Sequence, residues 1–259
     1  MADQEPPLAL ALGLIAATGR PEVDPDAVPA RLDAIASDLG QVDGDAGALC
    51  AALFGAGGFT GDLGDYYDPR NSLIDQVLDR RLGIPITLAA VGIEVGVRVG
   101  VPLVGVGMPG HFLLAEVGPS VAMGAPAEGP VRWFDAFDGG RELDADGCAR
   151  VFRRLHGPLR LERSMLAAVD VPAIVERVLN NLLGARTRRR DRSGAADVLA
   201  LRAALAPTDL RRRSQLAAGL AAAGRFDEAA SIHDQLMVLD PGADPGHDHL
   251  ATQLRARLN

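Results

Sequence analysis

Residues 80–100 read RRLGIPITLAAVGIEVGVRVG, a turn that opens into an apolar helix. Pro85 stands at the helical position where proline is favourable, and the preceding Ile84 is expected to be extended. The apolar residues that follow predict a helix that closes at Gly100. The start of a helix favours negative charge, and many enzymes place a nucleophile there. Here that place holds a residue without a reactive group.

Helical patterns precede this stretch. Apolar residues recur at helical spacing in three segments, 8–17, 29–39 and 46–54. A loop rich in Gly and Asp covers 55–71. A fourth helix then begins, with Ser72 as its expected N-cap, Asp75 completing a capping box and Gly83 ending it.

Strand patterns follow it. VPLVGVG (101–107), HFLLAEV (111–117) and VRWFDAF (131–137) are apolar or aromatic segments between Gly and Pro residues. They predict three short antiparallel strands. From Asp144 onward the pattern is helical again.

The C-terminal part of the chain repeats. Pro207 and Pro241 stand 34 residues apart, and alanine pairs at 195–196 and 229–230 keep the same offset. This period is that of the tetratricopeptide repeat, a helix–turn–helix unit. We predict two repeats, at roughly 174–207 and 208–241, and a final helix from about residue 247.

The composition indicates a globular protein of the cytoplasm. Hydrophobic residues make up 48% of the 259 residues, and the net charge of −8 argues against binding to a nucleic-acid backbone. All 26 basic residues are Arg, which is typical of a GC-rich genome. Two cysteines cannot build a disulfide framework, and the acidic N-terminus fits neither a signal peptide nor a membrane span. We expect no cofactor, no metal ion and no contact with nucleic acid or membrane.

Four short motifs carry a family resemblance: DPRNS, GIPITLA, PGHFLL and DAFDGG, in that order. Together with the C-terminal repeats, these motifs give a resemblance over nearly the whole chain to the bacterial transglutaminase-like proteins of the SirB type. The resemblance implies an α+β fold, in which a papain-like core with a small antiparallel sheet and N-terminal helices precedes an all-α, tetratricopeptide-type tail. The implied domains are 1–165 (a helical part, 1–71, and a core, 72–165) and 166–259.

The resemblance also implies a site. Enzymes of this superfamily use Cys, His and Asp in that chain order, with the Cys at a helix start, the His at a strand start and the Asp at the end of the next strand. By that pattern His111 matches the histidine and Asp135 the aspartate. The place of the nucleophile falls at or beside Pro85, so an acyl-enzyme is not expected.

Other readings of these residues stay open. His111 is a general base, a ligand contact or a structural histidine, and Asp135 orients it or is a turn carboxylate. Thr87 is a stand-in nucleophile or a first-turn threonine bonded to the backbone.

Further candidates surround this predicted cleft. Asn71, Ser72, Thr87 and Tyr67 are expected to bind a ligand beside His111, although a turn and a helix cap explain the first two as well. Cys50 and Cys148 are relocated nucleophiles or buried, inert thiols.

Two functions compete. The first is a non-catalytic or regulatory module that binds a protein or peptide partner through the degenerate cleft and the repeats. The alternative is a hydrolase or an acyl-transfer-related enzyme that uses His111 and Asp135 without a cysteine nucleophile. The sequence leaves the oligomeric state open.

Overall fold

The computed structural model describes residues 7–40, 42, 44–116, 132–239 and 246–257. Contacts divide the chain into two compact units, Met1–Val178 and Leu179–Asn259. The domain boundary predicted from the sequence lies earlier, after residue 165. Val117, Val131 and Pro241, which belong to predicted strands and to the predicted repeat, lie outside the described residues.

The first part of the first unit is mainly helical. In chain order its elements are α1 (Leu8–Ala17), α2 (Ala27–Leu39), α3 (Ala46–Phe54), β1 (Thr60–Gly61), α4 (Ile74–Arg80), β2 (Leu82–Gly83) and α5 (Pro85–Arg98). The helices predicted at 8–17 and 46–54 keep those bounds, and the one predicted from residue 29 begins two residues earlier. Ile84 is extended, with φ −99° and ψ 166°, and Pro85 is the first residue of α5, as predicted.

Helix α4 departs from its prediction at its start. Ser72 does not cap it but closes a short 3-10 helix, Pro69–Ser72, and α4 begins at Ile74. Asp75 does not complete a capping box, because its carboxylate accepts hydrogen bonds from both terminal nitrogens of Arg20, at 2.9 and 2.8 Å. This two-point ion pair stabilises the carboxylate more than a single bond to a neutral backbone N–H would.

Helix α4 also ends early. It stops at Arg81, which adopts a left-handed conformation with φ 54°, and not at Gly83. The two residues after Arg81 form β2, which pairs in parallel with β1 and places Gly61 opposite Gly83. A Cβ atom on Gly83 would lie 2.9 Å from Thr87 Oγ1, so this close approach of strand and helix requires glycine.

A five-stranded antiparallel sheet completes the unit. Its strands are β3 (Leu103–Val106), β4 (Leu113–Glu116), β5 (Trp133–Asp135), β6 (Arg141–Leu143) and β7 (Ala168–Val169), in the spatial order β6-β5-β4-β3-β7. The three predicted strands form its centre, and their antiparallel pairing is confirmed. The edge strands β6 and β7 were not predicted.

Both faces of this sheet are covered. On one face, Leu113 and Ala115 join an apolar cluster with Val151 and Phe152 of α6 (Ala145–His156). On the other face, Leu114 approaches α5 so closely that a Cβ on Gly92 would lie 2.7 Å from its Cδ1. The sheet is therefore held between α5 and α6, with the turn between β3 and β4 at its end.

The second unit is helical. The chain continues with α7 (Val171–Arg188), which begins in the first unit, and then α8 (Arg192–Leu205), α9 (Leu210–Ala222), α10 (Phe226–Leu239) and α11 (Gly246–Ala256). From α8 to α11, each helix packs on the next one along the chain. Small residues allow this close packing, since Ala196, Ala217 and Ala230 are fully buried.

The longest helix among the described residues is α7, with 18 residues. Its sequence includes Glu176, Arg177 and two further arginines. Within the described ranges, no helix combines the length and the apolar character that a bilayer span needs.

Candidate functional site

His111 ends a tight turn between β3 and β4. Its backbone N–H donates to the carbonyl of Met108 at 3.0 Å, which closes the turn over Pro109 and Gly110. Gly110 has φ +74°, a left-handed conformation that favours glycine. The residues of the motif PGH therefore form a turn that positions the histidine just before the central strand.

Two basic side chains hold this turn from outside. Arg177 Nη2 donates to the carbonyls of Met108, at 3.0 Å, and of His111, at 2.6 Å. His156 Nε2 lies 2.9 Å from the carbonyl of Pro109, and because a carbonyl only accepts, this nitrogen carries the proton. The backbone that positions His111 is therefore fixed by three side-chain contacts.

The imidazole of His111 meets Asp135 across neighbouring strands. Nε2 of His111 and Oδ2 of Asp135 are 2.9 Å apart, and the two residues are 8% and 1% exposed. The other carboxylate oxygen, Oδ1, accepts the backbone N–H groups of Phe137 at 3.1 Å and Asp138 at 3.2 Å. Since the carboxylate acts as acceptor throughout, Nε2 donates, and in neutral imidazole Nδ1 then carries a lone pair.

Aromatic rings surround this pair. The ring of Phe137 stands edge-on to His111 with centroids 6.3 Å apart, and Tyr66 stands edge-on to Phe137 at 6.0 Å. The Phe137 ring also rests on Gly61, where a Cβ would come within 2.6 Å of it. Because Gly61 pairs with Gly83, Phe137 joins the surroundings of His111 to the strand that leads into α5.

The start of α5 holds Pro85, which is buried, and Thr87, which is fully buried. The Thr87 hydroxyl accepts the N–H of Ile84 at 3.2 Å and lies 2.7 Å from the carbonyl of Asn71, to which it donates. Both hydrogen-bonding roles of this hydroxyl are therefore taken by the backbone. That arrangement matches the first-turn threonine rather than a nucleophile.

The side chain of Asn71 is bound into its own loop. Its amide nitrogen donates to the carbonyl of Asp65 at 2.9 Å, and its amide oxygen accepts from Arg80 at 2.9 Å. Arg80 also contacts Asp62 at 3.1 Å. Burial raises the pKa of Asp62, but the N–H of Asp65 and the side chains of Asn71 and Arg80 outweigh that effect and hold it below its ordinary value.

The remaining predicted binding residues lie nearby in different settings. Ser72 is buried at the end of its 3-10 helix. Tyr67 is 45% exposed and packs edge-on against Tyr66, with centroids 5.2 Å apart. Asn71 and Thr87 hold the loop to α5, so a direct contact of either with a ligand stays a prediction.

Neither cysteine is placed as a nucleophile. Cys50 and Cys148 are free thiols, each 0% exposed. Burial raises the pKa of each to about 12. A thiolate is the reactive form, so both are inert near neutral pH.

The sequence of this chain is similar to those of known proteins. Residues 26–180 match the family model described as the transglutaminase-like superfamily. This chain belongs to that superfamily. The expected transglutaminase-like domain with N-terminal helices and a small antiparallel sheet is thereby confirmed. No solved structure gives a significant match.

Relatives of this transglutaminase-like chain include bacterial and animal proteins. A UPF0162 protein of Xylella fastidiosa (strain 9a5c) is 43% identical over 148 residues, which cover 54% of this chain and 49% of that protein. A UPF0162 protein of Pseudomonas aeruginosa is 32% identical over 187 residues, 69% of this chain and 65% of that protein. F-box only protein 21 of Mus musculus is 32% identical over 126 residues, 48% of this chain and 19% of that protein. The chain spans about half the length of the first of these relatives.

Three residues around His111 were not predicted from the sequence. Phe137 stands within the motif DAFDGG, where only the aspartate was singled out. His156 and Arg177 lie on helices far along the chain, and their contacts with the turn at His111 leave no local signal. The arrangement as a whole offers one basic nitrogen, Nδ1 of His111, beside aromatic rings.

Proposed function

We propose that this transglutaminase-like chain is a non-catalytic binding module of the SirB type. It holds a peptide segment of a partner protein in the cleft beside His111, with the helical tail adding a second binding surface. The observation that supports the proposal is Pro85 at the first position of α5, the place where the family resemblance expects the thiol of an acyl-transfer enzyme.

The chain offers no substitute for that thiol at the described site. Cys50 and Cys148 are buried with a raised pKa, and the Thr87 hydroxyl is occupied by two backbone partners. A covalent acyl intermediate requires a nucleophile within reach of the histidine. Without one, the pair of His111 and Asp135 supports binding.

The pair has a role in such a module. With Nε2 donating to Asp135, Nδ1 accepts a hydrogen bond, for example from the backbone N–H of a bound peptide. Tyr66, 38% exposed, and Tyr67 extend the aromatic surface that begins with Phe137 beside His111. Such rings contribute contact area at low cost in side-chain entropy.

The tail is proposed to be of the tetratricopeptide type. Helices α8 and α10 have 14 residues each, and both their first residues (192 and 226) and their last residues (205 and 239) are 34 apart. Ala196 and Ala230, which keep this offset, are both 0% exposed. Repeats of this kind form extended surfaces for partners.

We also propose that the protein works in the cytoplasm. Both of its cysteines are free thiols, as is usual in a reducing compartment. Targeting of a fluorescent fusion of the full chain in cells tests this, and export to the cell surface would contradict it.

One observation favours a second function. The carboxylate of Asp135 is held by two N–H groups and orients the imidazole, as in a general base that activates water. A hydrolase of this kind would gain roughly 10²–10⁴-fold in rate from His111.

One experiment separates these functions. Displayed peptides are selected on the immobilised full chain, and the enriched peptides are then incubated with the same chain. A binding module enriches peptides and returns them intact, and His111→Ala weakens binding by no more than about tenfold, the worth of one hydrogen bond. Cleavage by the wild type, absent in His111→Ala, would establish the hydrolase instead. Failure to enrich any peptide above a blank surface, with a known peptide-binding domain as positive control, would refute the binding proposal.

A further inference from the structure

Arg177 carries a positive charge that no carboxylate balances among the described residues. Its guanidinium lies half-buried against the turn at His111, and the acceptors it contacts are the neutral carbonyls of Met108 and His111. Its carbon Cζ stands 5.4 Å from the centre of the Phe112 ring. Burial lowers the pKa of Arg177, and the effect of nearby Tyr66 opposes this.

Several other partly buried arginines are balanced by a carboxylate, whereas Arg213, like Arg177, contacts only neutral oxygens among the described residues. Arg20, Arg98 and Arg132, which are also partly buried, each reach at least one carboxylate at 2.8 Å or less. Placing a cation in a partly desolvated position without a counter-charge costs free energy. An anionic ligand at Arg177 would offset this cost.

We propose that Arg177 binds a carboxylate of the peptide held beside His111. The proposal rests on the proposed function and adds the chemical class of the ligand. Two of the five N–H groups of Arg177, both on Nη2, bond to the turn, and the three on Nε and Nη1 have no acceptor among the described residues.

A carboxylate fits this place better than a phosphate. Phosphate groups carry close to two charges and are recognised by clusters of arginines, whereas Arg177 acts alone here among the described residues. Tyr66 is close enough to Arg177 for their charges to interact, and burial raises the pKa of its phenol, which therefore stays a neutral hydroxyl. One guanidinium and one hydroxyl match the single charge of a carboxylate.

Two random peptide libraries displayed on phage test the proposal with the full chain. In one library the peptides are joined to the coat protein by their C-termini, so acidic side chains supply the carboxylates. In the other, the C-terminus is free. We expect the winners to share Asp or Glu at one position in the first library, or to be enriched in the second alone if a terminal carboxylate is bound.

The strongest peptide is then synthesised with its carboxylate and with the matching amide. A hydrogen bond between charged groups predicts that the amide form binds the wild type roughly tenfold to a hundredfold more weakly. Arg177→Met should bind both forms about equally, because the discrimination depends on the charge. Arg81→Met is a matched control, since Arg81 also contacts a backbone carbonyl, of Gly57, and an aromatic ring, of Phe59.

The outcomes separate the two proposals. If Arg177 only holds the turn, Arg177→Met weakens both forms of the peptide by the same factor, and the assignment is overturned while peptide binding stands. Enrichment of the first library, in which the C-termini are blocked, without a shared Asp or Glu overturns it as well, and this arm uses only the wild type. If neither library is enriched, the proposed function itself fails.

Discussion

Replacing Pro85 by cysteine tests where the start of α5 lies relative to His111. If Pro85 occupies the place of the nucleophile, the new thiol meets a helix N-terminus and an imidazole, both of which stabilise a thiolate. An ordinary cysteine has a pKa of about 8.5, whereas cysteines in such settings fall to between about 3.5 and 7.5. We expect Pro85→Cys to have a pKa near ~6.5, in the upper part of that range.

The size of the effect depends on pH. At pH 5.5, a thiol with a pKa of about 6.5 is ~9% ionised, against ~0.1% for one at about 8.5, so the thiolate is about ninety times more abundant. A thiolate of lower pKa is also less nucleophilic, by ~8-fold for two units, which leaves alkylation about tenfold faster. Cys50 and Cys148 stay silent, because with a pKa of about 12 they are hardly ionised at this pH.

Alkylation by iodoacetamide between pH 4 and 9, followed by intact mass, gives the pKa directly. The control is Pro85→Cys combined with His111→Ala, in which the pKa should rise by about one unit or more, equivalent to ~1.4 kcal/mol. The loss of proline alone should cost only about 0.4–1 kcal/mol of stability. A pKa of 8.5 or higher that does not respond to His111→Ala would refute the assignment of Pro85 to the place of the nucleophile.

Three further predictions concern the frame around the site. Thr87→Val should lower the free energy of unfolding by about 2–4 kcal/mol in urea titrations, because two buried backbone groups lose their partner; an unchanged midpoint would mean that the hydroxyl is not structural. Gly61→Ala should cost about 1–3 kcal/mol and shift the NMR signals of the Phe137 ring, since the added Cβ would lie 2.6 Å from it. Arg20→Met should cost about 1–3 kcal/mol at pH 7. Burial raises the pKa of Asp75, but the hydrogen bonds from Arg20 and Gln76 and the charge of Arg20 together outweigh it and lower the pKa. The stability from this ion pair is therefore present above the ordinary carboxyl pKa and lost as pH falls through the lowered one. A deficit that does not shrink below about pH 4 would contradict the assignment.

The sequence predicts those helices and strands that are long enough to show a periodic pattern of apolar residues. Helix α5 and the strands β3, β4 and β5 each have several apolar residues between Gly or Pro breakers, and they lie where expected. The strands β1, β2 and β7 have only two residues each, which is too short for a hydrophobic period to show in the sequence. The start of α4 was misplaced because Asp75 serves an arginine 55 residues away, and a local capping rule cannot include such a partner.

The same limit applies to the site. His111 and Asp135 could be picked out because each stands in a short motif that carries the family resemblance. Arg177 could not, since it reaches the carbonyl of His111 from 66 residues further along the chain. A guanidinium that bonds to backbone carbonyls leaves no partner residue type in the sequence to search for.

The surviving pair of His111 and Asp135 does not by itself favour catalysis. Asp135 is 1% exposed and accepts three hydrogen bonds, and only the one from His111 comes from another strand. Removing the imidazole would leave a buried carboxylate short of a donor, at a cost of about 1–3 kcal/mol or more. A stabilising role alone therefore accounts for this pair, without a catalytic one. Arg177, by contrast, is half-buried with no carboxylate partner among the described residues, so the proposed ligand is supported more by the arginine than by the histidine.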